Sequence, residues 1–298
     1  MHCFQRWHRV GSPFHGDCMN QQLIEPILEL RDVSFRYPDG SVGLDGCSIT
    51  IPRGKRIALL GANGAGKTTL FLHLNGILRP LSGTVLFGAS PLDYSRPGLH
   101  NLRSRIGLVF QNPDSQLFSA SVREDVSFGP LNLGLDTETV RSRVEEALHA
   151  VGMTACADKP VHNLSYGQKK RVCIAGVLAM YPEVLILDEP MAGLDVAMQV
   201  ELSRILDQLH AEGMTIIIAT HDMDFAYQWA DSITVMVNGG CAVSWDVEGI
   251  PASLAQLAAY GIGVPRVAEL YRVMVAKGIL KDNCSIPRSY QSLKDMLQ

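Results

Sequence analysis

Gly61-Ala62-Asn63-Gly64-Ala65-Gly66-Lys67-Thr68 restricts the fold more than any other part of the chain. It satisfies G-x-x-x-x-G-K-[ST], a pattern with physical meaning only where a strand enters a glycine loop and the loop enters a helix. Both flanks comply. Arg56 to Leu60 is a compact apolar run that reads as a strand, and Leu70, Leu72 and Leu74 follow in a segment that reads as a helix. Glycines let such a loop wrap, so that N–H groups from Gly64 to Thr69 converge on phosphate oxygens at the positive end of the helix. Lys67 adds a full charge between the β- and γ-phosphates, and the Thr68 hydroxyl is a ligand for Mg²⁺. The implied nucleotide site runs from Gly61 through Ala62, Asn63, Gly64, Ala65, Gly66, Lys67 and Thr68 to Thr69.

Val184-Leu185-Ile186-Leu187 suits a strand buried on both faces of a parallel sheet, and Asp188-Glu189-Pro190 follows at its end. Open parallel sheets place ligands at the carboxyl ends of their strands. Asp188 is placed to hold Mg²⁺ through water, and Glu189 to orient or deprotonate an attacking water. Alone, such a pair is an ordinary exposed sheet end; beside a phosphate loop it becomes the second half of a site. His221 follows the β-branched run Thr215 to Ala219, and Gln111 follows the strand Ile106 to Phe110. A lone histidine is more often structural than catalytic. Both residues gain weight from ending strands of the same sheet.

At 298 residues, with 47% hydrophobic and 19% charged side chains, the chain has a globular profile of one or two domains. A net charge of −4, with no basic run longer than Lys169-Lys170-Arg171, argues against a nucleic-acid partner. Apolar runs fall far short of the ~20 residues that cross a bilayer, so any service to a membrane is from its surface. Seven cysteines without a C-x-x-C pair fit reduced thiols. Residues 1–22 read as a disordered extension: they lack the apolar core of a secretory signal, and His2, Cys3, His8, His15 and Cys18 match no zinc spacing. Met19 is an alternative start.

Elsewhere, Ile27 to Val33 reads as a strand before a turn at Tyr37 to Gly40, and residues from about 111 to 176 as a helical insert. Within the insert Asp136 is the expected N-cap of a helix carrying Val140, Val144, Leu148 and Val151, with Gly152 as its stop. Ile233 to Val237, before Asn238-Gly239-Gly240, is the expected final core strand. Helical fragments, Ala252 to Tyr260 and Arg266 to Leu280, make residues 245–298 a helical tail, either a dimerisation element or a cover over the sheet edge.

Asn163 to Arg171 carries Ser165, Gly167 and Gln168 ahead of three basic residues and has no chemistry of its own. Its meaning comes from company. The phosphate loop, Gln111, Leu164-Ser165-Tyr166-Gly167-Gln168, Leu187-Asp188-Glu189-Pro190, Gly193-Leu194-Asp195 and Thr220-His221-Asp222 occur in the order of the ATP-binding-cassette (ABC) ATPases, which the chain resembles over about residues 27–240. The resemblance implies a P-loop NTPase α/β fold over residues 23–244, with a mixed, mainly parallel core sheet, an N-terminal antiparallel β subdomain and a helical subdomain. It also implies ATP with Mg²⁺, the ion held by Thr68, Gln111 and Asp188. Glu189, His221 and Gln111 become the catalytic set, with His221 as the γ-phosphate switch, and Tyr37 the aromatic that stacks on adenine. Ser165, Gly167 and Gln168 would read phosphate bound by the opposite subunit, and Asp195 belongs to the loop that crosses the dimer. Two departures are visible: Tyr166 stands where glycine is commoner, and Ala62 where proline is frequent. Neither removes a donor or a charge.

Val109-Phe110-Gln111-Asn112-Pro113-Asp114, Val122-Arg123-Glu124-Asp125-Val126 and Ile174-Ala175-Gly176-Val177-Leu178-Ala179-Met180 look like the energy-coupling-factor importers, and Pro91-Leu92-Asp93-Tyr94-Ser95 resembles their cobalt-transport ATPases, with nickel members close. The implied protein is peripheral at the cytoplasmic face of the cell membrane. Its implied partners are a second copy or a paralogous ATPase, an integral coupling subunit and a substrate-binding membrane subunit. A soluble cassette ATPase acting on DNA or ribosomes would generally carry a coiled-coil insertion or tandem cassettes, and a small-molecule kinase would not need Leu164 to Gln168.

Overall fold

The turn at Tyr37 to Gly40 folds the chain back, and its flanks pair as strands β1 (Pro26–Arg36) and β2 (Val42–Pro52). The computed structural model describes residues 25–247, 250, 257–281 and 286–298. The extension expected over residues 1–22 and most of the fragment Ala252 to Tyr260 lie outside the described residues. After β2 come β3 (Arg56–Leu60), helix α1 (Lys67–Leu74), β4 (Ser82–Phe87) and β5 (Ser90–Pro91). β2, β1, β4 and β5 form a four-stranded antiparallel sheet in that order.

The remaining strands are β6 (Ile106–Val109), β7 (Val184–Asp188), β8 (Thr215–Thr220), β9 (Ser232–Val237) and β10 (Gly240–Asp246). With β3 they make a six-stranded sheet of order β10-β9-β3-β8-β7-β6, parallel except for β10. Alternation along β3 divides the interior. Ile57 and Leu59 pack with Leu70, Phe71 and Leu74 of α1 and the antiparallel sheet, while Ala58 and Leu60 face the helices on the other side. Burying each of the leucine, isoleucine and phenylalanine side chains among them contributes roughly 1.5–3 kcal/mol. Helix α1 is therefore clamped between two sheets, which immobilises the loop at its N-terminus.

α2 (Arg96–Arg105) precedes β6, and the insert after β6 holds α3 (Val122–Asn132), α4 (Thr137–Ala150) and α5 (Tyr166–Leu178). Asp136 caps α4 by accepting from the Thr139 N–H at 3.0 Å, and Gly152 follows its end at φ +66°. α6 (Val196–Ala211) and α7 (Met223–Trp229) complete the helices that cover the core sheet.

Ile233 to Val237 is a core strand but not the final one. Asn238 and Gly239 both have positive φ, 50° and 82°, the two-residue turn that lets β10 pair back antiparallel along β9. The tail expected from residue 245 thus begins after Asp246. Its helices Arg266–Ala276 and Tyr290–Asp295 bury Val267, Tyr271 and Leu293 in the helix-side core. Arg266 N–H donates to Asp224 of α7 at 2.7 Å, and Arg288 donates to the carbonyls of Tyr227 and Ala230.

The start of β3 is pinned to β9 by Asp231, whose carboxylate accepts from the Arg56 N–H and guanidinium, both at 2.9 Å. Burial works to raise the Asp231 pKa, but the Arg56 hydrogen bonds outweigh it and hold the group below the usual carboxylate range. A depressed carboxyl stabilises the fold above its unfolded pKa of about 4 and loses that contribution as pH falls through the lower folded value. Asp231→Ala should therefore cost about 1–3 kcal/mol in urea unfolding at pH 7, with the gap to the parent closing in acid.

Candidate nucleotide site

The phosphate loop lies against backbone that only glycine tolerates. A Cβ at Gly61, at φ +155°, would sit 2.6 Å from the Met236 carbonyl, and one at Gly66, at φ +103°, would sit 2.6 Å from that of Gly43. β9 and β2 therefore press on the two ends of the loop. A third clamp comes from the hairpin turn after β9, where the sequence analysis expects only a strand end: Gly239 N–H donates to the Ala65 carbonyl at 3.0 Å, and its own carbonyl accepts from Asp45 N–H at 3.0 Å. Asn-Gly between two strands was the available signal.

Lys67 is buried, and its ammonium donates to the carbonyls of Gly61 at 2.6 Å and Ala62 at 3.1 Å. A cavity of about 380 Å³ opens beside the loop, bordered by residues 63–69, Tyr37, Gln111, Asp188 and Glu189. The Tyr37 hydroxyl and Thr69 Oγ1 are 2.9 Å apart, which fixes the aromatic ring at the border of the cavity. Parallel register explains the rest of the grouping: Leu60 pairs with Thr220 and Asp188 with Ala219, so the residues that follow β3, β7 and β8 emerge at one edge.

The Thr68 hydroxyl donates to Asp188 Oδ2 at 2.7 Å. A hydroxyl and a carboxylate side by side are hard oxygen donors that fit Mg²⁺, which fills its remaining positions with phosphate oxygens and water. Glu189, buried like Asp188, adopts a left-handed backbone at φ +45° while its N–H donates to Ala219 at 3.0 Å. Such strain persists only where surrounding structure holds it. Glu189 Oε2 lies 3.0 Å from Nδ1 of the exposed His221. A carboxylate aimed at the cavity with an imidazole on its flank can accept a proton from water and be held in orientation.

Ser165, Gly167, Gln168 and Asp195 do not border this cavity. Ser165 is the N-cap of α5 and forms a capping box with Gln168: its Oγ accepts from Gln168 N–H at 3.3 Å, and Gln168 Oε1 accepts from Ser165 N–H at 3.0 Å. Gly167 packs on α6, where a Cβ would be 2.4 Å from Met198 Sδ. Asp195 caps α6 through Met198 N–H at 2.8 Å. Tyr166, the departure noted above, donates its hydroxyl to the Gln111 carbonyl at 3.1 Å and covers Gly193.

Lys170 shows no sign of its place in the sequence, where it is only the middle of the basic run Lys169-Lys170-Arg171. It stands one turn after Tyr166 on α5, a spacing that shares a helix face. At 2% exposure it is a core residue, and burial pushes its amine down to about 8 against the opposing pull of the Glu189 charge.

The ABC transporter family model matches residues 44–192. The energy-coupling factor transporter ATP-binding protein EcfA of Methanocaldococcus jannaschii is 49% identical over 251 residues, 84% of this chain and 90% of that protein. The cobalt import ATP-binding protein CbiO of Rhodobacter capsulatus is 45% identical over 268 residues, covering 90% and 96%. Among solved structures, cbiO1 of Clostridium perfringens, described as part of the ABC transporter complex cbiONQ, superposes with a TM-score of 0.72 at 46% identity, covering 83% of this chain and 99% of that one.

The loop geometry predicts that Gly66→Ala, forced against the Gly43 carbonyl, distorts the phosphate cradle. Fluorescent ATP-analogue titration should show at least a tenfold weaker Kd, and strain of about 1–3 kcal/mol should lower the unfolding midpoint.

Proposed function

This chain belongs to the ABC transporter ATP-binding proteins of the energy-coupling factor type, and from that premise we propose that it powers cobalt-ion uptake as one of two ATPase copies beneath membrane partners. It is an ATPase subunit of an importer. Cobalt as cargo draws its support from the 45% identity, over 90% of the chain, with a protein named for cobalt import.

The observation that carries the two-copy reading is spatial. Lys67, Asp188 and Glu189 meet at one cavity, while Ser165 stands exposed on the chain outside it. The N-terminus of α5 has positive potential and N–H groups suited to an anion. Brought against another copy's cavity, it completes the phosphate cage there. Val196 and Val200, 76% and 65% exposed beside Asp195, supply apolar surface for that closure.

Within one cavity the loop N–H groups and Lys67 bind the phosphates, and Tyr37 receives the adenine. Thr68, Asp188 and Gln111 would hold Mg²⁺, which neutralises charge on the β- and γ-phosphates when bound. Glu189 takes the proton of the attacking water, and His221 keeps its carboxylate turned toward the γ-phosphate. Coupling to the membrane runs through the surface after Gln111. A groove of about 820 Å³ there is bordered by Phe110, Phe118 and Phe128, the last two packed edge to face with ring centroids 4.7 Å apart and 65% and 50% exposed. No helix among the described residues is long and apolar enough to cross a membrane. We assign the chain to the cytoplasmic face, held by its partners.

Glu189→Gln should lower kcat by about 10²–10⁴-fold and accumulate an ATP-bound dimer on gel filtration; wild-type turnover would remove Glu189 as the base. In cells carrying the assembled importer, radiolabelled Co²⁺ uptake should depend on this chain, and preferential Ni²⁺ uptake would reassign the cargo. Phe128→Asp should leave basal ATPase activity intact while abolishing copurification with the membrane subunits.

A further inference from the structure

The segment that follows β7 turns so sharply that three of its carbonyls converge. Glu189, Pro190 and Ala192 aim their oxygens at the ammonium of Lys170, at 2.8, 2.8 and 3.3 Å. Convergent carbonyls repel one another and, when buried, require donors; an ammonium offers three. Ala192 N–H also donates to the Glu189 carbonyl at 3.2 Å, closing the turn around the same point. At the head of this segment Glu189 holds its left-handed backbone, a conformation that must be stabilised by its neighbours. Lys170 supplies that stabilisation from another element, since it belongs to α5, thirteen residues that begin at the exposed Ser165 cap.

We propose that Lys170 is a positioning residue for hydrolysis: by gathering the carbonyls of Glu189, Pro190 and Ala192 it sets the backbone from which the Glu189 carboxylate reaches the water. It does not border the nucleotide cavity and acts through Glu189. The inference rests on the reading of Glu189 as the base. It also gives α5 two duties, presenting Ser165 to a partner copy at one end and holding this chain's own Glu189 one turn further on.

The test uses the dimeric ATPase in its importer complex. Lys170→Met keeps the length and removes the donors; kcat should fall on the order of 10²-fold, the cost of an ångström-scale misplacement, with the KM for ATP within about twofold of the parent. Lys170→Arg should recover part of the loss. Because Lys170 acts through Glu189, the double variant with Glu189→Gln should turn over no more slowly than Glu189→Gln alone. A Lys170→Met enzyme at full speed, a loss confined to KM, or a double variant slower than Glu189→Gln would each overturn the proposal. Should Lys170→Met fail to fold, Lys170→Gln, with a shorter amide donor, is read by the same criteria. Fast turnover by Glu189→Gln removes the premise about the base; slow Glu189→Gln beside fast Lys170→Met removes only Lys170.

Discussion

The parallel register of β3, β7 and β8 is the constraint on which the rest of this structure depends. Leu60 opposite Thr220 and Asp188 opposite Ala219 bring a phosphate loop, two carboxylates and a histidine to one sheet edge from segments far apart in the chain. A slip of one residue would turn every side chain of the slipped strand to the opposite face. The two faces of β3 differ in bulk, Ile57 and Leu59 on one and Ala58 and Leu60 on the other, so a slip would force Ile57 into space packed for Ala58. The same packing that stabilises the sheet therefore aligns the site.

Clamping of the loop follows from its surroundings rather than from its own residues. β9 and β2 approach so closely that Gly61 and Gly66 have no room for a Cβ, and Gly239 bonds both the loop and the β2 side. Preorganised N–H groups bind phosphate without first ordering the chain, which is where binding energy would otherwise be lost. Ser165 and Asp195, by contrast, serve their own chain as helix caps. Their side chains hold the helix ends in shape, and the Ser165 hydroxyl, an acceptor in its own cap, keeps a proton to donate in the proposed duty toward a second copy.

Much of this was legible beforehand because it rests on local rules. The β3–loop–α1 unit, the buried β7 with Asp188 at its end, and the Asp136 cap of α4 each follow from a short pattern whose physics is complete within a dozen residues. The misses are of another kind. β10 has a weak signal in the sequence because its alternation of Cys241, Val243 and Trp245 is only half-buried and an Asn-Gly pair after an apolar strand serves as an ending as readily as a hairpin turn. In sequence Lys170 is only the middle of a basic run, and nothing local shows three carbonyls 19 to 22 residues onward turning toward it.

The phosphate loop and the strand that delivers Asp188 and Glu189 are encoded by residues adjacent in the chain, and membership of the family by the order in which such short motifs follow one another, so the amino-acid sequence was enough for all three. Tertiary structure alone decided that Glu189 is held left-handed against His221, that Lys170 is a core residue, that Tyr166 reaches Gln111, and that the tail packs on α7. These depend on how distant segments approach, and that is set by sheet register and core packing, neither of which any short stretch specifies.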